Sequence, residues 1–64
     1  MRYYLKLRCN NDAFSGDNLG PEIARILRHE ADLLEEGPRP ISDFATLRDL
    51  NGQKVGHAVL TDRY

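Results

Sequence analysis

Residues 20–37 read GPEIARILRHEADLLEEG, and this stretch decides the fold. Pro21 suits a first helical position, with Gly20 or the polar residues before it as the cap, and Glu22 sits favourably in the first turn. Gly37 suits a left-handed terminator, and Pro38 forbids continuation. At about 100° per residue, Ile23, Leu27 and Leu34 line up, flanked by Ile26, Leu33, Ala24 and Ala31. That arc is long enough to cover one face of a small sheet, with Arg25, Arg28, Asp32, Glu35 and Glu36 on the opposite side. Glu30 projects toward the arc, where a carboxylate must find a partner, shift its pKa or reach the edge. Two readings follow: a site residue, or a side chain that snorkels to the edge or pairs with a tyrosine hydroxyl or an arginine, the second being the commoner case.

Upstream of the helix, residues 2–9 (RYYLKLRC) alternate as a half-buried strand does. Tyr3, Leu5, Leu7 and Cys9 face one way; Arg2, Tyr4, Lys6 and Arg8 face the other. The second row is basic with one aromatic, the shape of a nucleic-acid-facing strand, but it lacks the aromatic pair that stacks several bases. Residues 10–19 are turn chemistry, from which Phe14 and Leu19 are expected to tuck against the core.

Downstream, residues 37–43 (GPRPISD) form a stiff linker. Residues 44–50 and 53–62 then make a hairpin around Asn51-Gly52. A two-residue type I′ turn would set Leu50 opposite Gln53. A type I turn with a glycine bulge is preferred, because Asp49 and Gly52 then occupy positions those residues favour and Leu47 shares a face with Val55. Gly56 marks a bulge or a close backbone approach, and residues 62–64 are expected to fray. The resulting fold class is α+β: one domain over residues 1–64, in β-α-β-β order, a three-stranded antiparallel sheet with one helix packed on one face. Strand order is left open.

A chain of 64 residues lies near the lower limit for a self-sufficient core and leaves little room for a lined active site. Cys9 is the sole cysteine, so no internal disulfide forms, and Arg2, Lys6 and Arg8 break the first apolar run as neither a signal peptide nor a membrane span would allow. A soluble cytoplasmic protein is expected. Cys9, Ser15 and Ser42 are the available nucleophiles and His29 and His57 the bases, but none sits in a catalytic signature. Metal-ligand spacing and nucleotide fingerprints are also absent from the sequence, so no catalytic residue, metal or cofactor is expected.

Charge is uneven. Residues 10–36 carry seven acids against Arg25 and Arg28, a balance of −5, while the remainder carries +4, within a net charge of −1. Negative and positive fields should therefore occupy different parts of the molecule.

The first strand, EIARILRHEADLLEEG and LRDLNGQKVGHAVL together resemble small uncharacterised proteins of bacteriophages and other mobile elements. Those carry a helix of the EIARILR type followed by a DxNGxxVG hairpin. The resemblance spans most of the chain and carries over no catalytic residue. It implies a bacterial cytoplasmic setting and a non-catalytic inhibitor of the anti-CRISPR or other anti-defence class, monomeric or homodimeric. In that reading Asp12, Asp17, Glu22, Asp32, Glu35 and Glu36 would fill a cation-lined groove on a host protein, such as a CRISPR effector subunit, where nucleic acid would otherwise bind. The alternatives are a small nucleic-acid binder using Arg2, Tyr4, Lys6 and Arg8, with Arg48 and Lys54 as further candidates, or a dimeric structural module.

Overall fold

The computed structural model describes residues 1–37 and 39–62. Strand β1 (Arg2–Leu7) leads through two single 3-10 turns to helix α1 (Leu19–Glu36), followed by β2 (Phe44–Arg48) and β3 (Lys54–Thr61). The strands form one antiparallel sheet in the order β1-β3-β2, so the last strand is the central one. The α+β class and the strand-helix-strand-strand order are as the sequence implies. Expectations about Pro38, Arg63 and Tyr64 lie outside the described residues.

Register follows from turn chemistry. The Gly52 N–H donates to the Asp49 carbonyl at 3.0 Å, and Gly52 has a φ of +84°, which completes the type I turn with a glycine bulge. Arg48 pairs with Lys54 and Leu47 with Gly56, so Val55 is the extra residue of a bulge beside the turn. Leu47 and Val55 then enter the same core with Phe14, Ile26 and Ala58, against which Leu5, Leu7, Cys9, Ile23 and Ala45 pack.

Gly56 sits where β1 presses closest. A Cβ placed there would lie 1.8 Å from the backbone oxygen of Lys6. No side-chain rotation relieves a clash with backbone, so any larger residue forces the two strands apart.

Several local expectations are corrected. The helix begins at Leu19, two residues before Pro21, and its cap Asn18 makes no side-chain capping bond. Pro21 still fits, because the first-turn N–H groups lack intrahelical partners. Gly37 is extended (φ −179°, ψ 159°) rather than left-handed, the conformation that a following proline favours. Phe14 is buried as expected, but Leu19 is exposed.

The larger correction concerns the roll of the helix. The buried residues of α1 are Glu22, Ile26 and Glu30, while Leu27 and Leu34 remain 44% and 36% exposed. Relative to the arc centred on Ile23, Leu27 and Leu34, the sheet-facing stripe is rotated by about 80°. The cause lies in the partners of the two glutamates, described below.

Gly56→Ala is expected to lower stability by about 2 kcal/mol or more, read as a shift in the urea midpoint. A change under about 0.5 kcal/mol, the ordinary range for a surface site, would contradict the close approach of β1 and β3.

Candidate nucleic-acid interface

The helix covers one face of the sheet; among the described residues no helix or strand packs on the other, referred to below as the open face. Cross-strand pairing places Tyr4, Val59 and Phe44 in one row across β1, β3 and β2, and Lys6, His57 and Thr46 in the next. Tyr3 points to the helix side, where its hydroxyl donates to Glu30, so alternation puts Tyr4 on the open face. Phe44 and Tyr4 are 58% and 41% exposed, and Val59 between them is only 2% exposed. The edge of one ring meets the face of the other where Phe44 and His57 touch, with centroids 5.1 Å apart and planes at 79°. The open face thus presents two aromatic rings in one row, and the expected lack of an aromatic pair is corrected. The second ring comes from β2, which sequence alternation along β1 could not reveal.

Beyond that row the face becomes cationic. Lys6, Arg8 and Lys54 line a cavity of about 230 Å³ together with His57, over a floor of Val55 and Gly56. No carboxylate among the described residues lines it. Among the described residues, none of these three cations is ion-paired with an acid. A shallow apolar recess of about 480 Å³, walled by Tyr4, Leu5, Lys6, His57 and Val59, adjoins it through Lys6 and His57. Arg2, Tyr4, Lys6 and Arg8 are all exposed, as expected for the outer row of β1. Arg48 is engaged with the Gly52 carbonyl at 3.0 Å.

The acidic residues are arranged differently. Asp12, Asp17, Asp32, Glu35 and Glu36 are exposed, but Glu22 is buried and belongs to the interior. An 18-residue helix is about 27 Å long. Asp12 and Asp17 at its start are therefore separated by most of that length from Asp32, Glu35 and Glu36 at its end. The sequence block of negative charge divides into two patches.

Glu22 and Glu30 hold the fold together instead. Glu22 accepts from Arg25 Nε at 2.7 Å and Nη2 at 3.0 Å, and from the Leu50 backbone N–H at 2.7 Å. Hydrogen bonding from Arg25 holds its carboxyl below the usual range, against the opposing effect of burial. Glu30, 3% exposed, accepts from both terminal nitrogens of Arg39 and from the Tyr3 hydroxyl. Arg39 is the larger influence and lowers the Glu30 pKa, burial opposes it, and Tyr3 adds to the fall. Burial of the Tyr3 hydroxyl, then its bond to Glu30, push that phenol up to about 12. Burial would raise the Asp49 carboxyl, yet the N–H groups of Gln53 and Asn51 and the Asn11 amide together hold it below its ordinary value.

These groups have no chemistry left to offer a ligand. Each buried carboxylate is bonded within the chain, which removes Glu30 as a site residue and gives it the arginine and tyrosine partners that its position demanded. Among the described residues, no group of three or more His, Cys, Asp or Glu side chains is placed to hold a metal ion. No helix is long and apolar enough to cross a membrane. Cys9 is half-buried and packs against the core.

The pH dependence of stability follows from the signs. The folded-state values of Glu22, Glu30 and Asp49 are depressed. Their contribution is present above the unfolded carboxylate range of about 4 and is lost as pH falls through the folded values. Tyr3, raised to about 12, contributes below its ordinary 10 and loses that contribution as pH rises from 10 through 12. Glu30→Gln is expected to cost about 3 kcal/mol at pH 7, because Arg39 loses its anion. Denaturation midpoints at pH 7 and pH 3 should also differ less in the variant than in the parent chain. Equal acid sensitivity in both would contradict the role given to Glu30.

The chain matches no protein-family model, no curated protein and no solved structure.

Proposed function

We propose that this is a non-catalytic module that binds single-stranded nucleic acid on the open face of its sheet. The observation that carries the reading is the composition of that face. Two exposed rings, Tyr4 and Phe44, lie in one row beside three cations with no carboxylate among them. Every base has a π-face, so rings on a rigid sheet stack bases without selecting sequence, while the cations follow the phosphates. A duplex hides its bases, so the rings favour a single strand.

A second reading keeps the phage-type setting and the protein partner. It draws support from Asp32, Glu35 and Glu36, exposed in the last turns of a helix whose final turn has no basic residue. An anionic patch at the negative end of a helix dipole costs the fold a little and serves a cationic partner surface. It covers only half of the acidic set named for that role, since Glu22 is internal and Asp12 and Asp17 lie far away.

The nucleic-acid reading predicts that a fluorescently labelled oligothymidylate binds in low salt, measured by anisotropy. Its log affinity should fall against log salt with a slope of about −2 for three phosphate contacts. Phe44→Ala should weaken binding about tenfold through lost stacking. Replacing Asp32, Glu35 and Glu36 together by lysine should not weaken it. Absence of a complex at low salt, or equal affinity in the Phe44 variant, would overturn the reading.

A further inference from the structure

The two recesses on the open face differ in chemistry. One is apolar and aromatic, walled by Tyr4, Leu5 and Val59, and the other is cationic, lined by Lys6, Arg8 and Lys54. They share Lys6 and His57 as lining residues, so they lie side by side on the sheet. Alternate residues on one face of a strand lie about 7 Å apart. Tyr4 and Lys6 are such a pair, and that spacing suits a base on the first and its phosphate at the second.

Charge narrows the ligand further. A phosphodiester within a strand carries a single negative charge, whereas a terminal phosphomonoester carries about −1.5 to −2 near pH 7 and offers three strong acceptor oxygens. Lys6, Arg8 and Lys54 supply three positive charges that, among the described residues, no acid pairs with, and the His57 ring adds an N–H donor. This excess fits a dianion better than a monoanion. Val55 and Gly56 complete the lining of the cavity. The bulge at Val55 contributes by keeping that residue in the core while Lys54 lines the rim.

We propose that the Lys6–Arg8–Lys54–His57 pocket receives the terminal phosphate of a single strand, with the adjoining nucleotide's base on Tyr4. The proposal rests on the nucleic-acid reading of the same face and adds to it recognition of a phosphorylated end. Phosphate engagement is by charge-assisted hydrogen bonds, with no bond made or broken.

The test compares one short oligonucleotide in three forms, 5′-phosphorylated, 3′-phosphorylated and unphosphorylated, by isothermal titration at a single salt concentration. One phosphorylated form should bind at least about tenfold tighter than the unphosphorylated strand, the value of a hydrogen-bonded charged group. Lys54→Gln should abolish most of that preference, and Arg8→Gln should do the same. Arg28→Gln, on the exposed side of the helix, removes the same charge and should leave the preference intact. Equal binding of all three forms overturns the end-recognition proposal while leaving the nucleic-acid reading standing. Absence of binding by any form overturns both. A preference that survives in both Lys54 and Arg8 variants, or that Arg28→Gln removes equally, reports long-range attraction and overturns the pocket.

Discussion

Two carboxylates on the underside of one helix govern the structure. Glu22 and Glu30, two turns apart, are nearly inaccessible, and a buried carboxylate is tolerated only with full hydrogen bonding. Each therefore draws a distant segment to the helix. Glu22 fixes the hairpin turn through the Leu50 N–H, and Glu30 gathers Tyr3 of β1 and Arg39 of the linker. Ile26 between them reaches the apolar core. The roll of the helix is set by this alternation of acid, isoleucine and acid, and the leucines at 27 and 34 are left half outside.

The consequence for the sheet is a division of labour between its faces. The helix side holds the core and the paired carboxylates, while the other side carries the exposed rings of Tyr4 and Phe44 and the cations Lys6, Arg8 and Lys54. β3 makes that side continuous, because it is paired on both edges and its Gly56 admits β1 at a distance no other residue allows. Tyr4 from one end of the chain and Phe44 from a later strand share one row, on either side of Val59, only because β3 lies between their strands. The same pairing brings Lys54 to Lys6 and Arg8. The open face is assembled from residues about forty to fifty positions apart, a product of topology rather than of any local motif.

Much of the architecture was legible in the sequence for reasons local to each element. Alternation along residues 2–9 revealed β1, which ends two residues earlier at Leu7, and Asp49 with Gly52 defined the turn that sets the hairpin register. Gly56 betrayed a close approach because a strand interior has little other use for glycine. The helix was legible in extent but not in roll, since periodicity weighs apolar residues and cannot see a partner 27 positions away, as Tyr3 is from Glu30. For the same reason Glu22 passed for a surface acid in the sequence. The acidic set looked contiguous because sequence order hides the length of a helix. The aromatic row was invisible until strand order was known.

The account's central claim is that the open sheet face is the binding surface, and mapping that surface by nuclear magnetic resonance tests it most directly. Isotope-labelled protein would be titrated with a short oligothymidylate at low salt while backbone and ring resonances are followed. The account predicts shift changes at Tyr4, Lys6, Phe44 and His57, with Asp32, Glu35 and Glu36 unmoved. Changes confined to the helix, or none at saturating oligonucleotide, would contradict it.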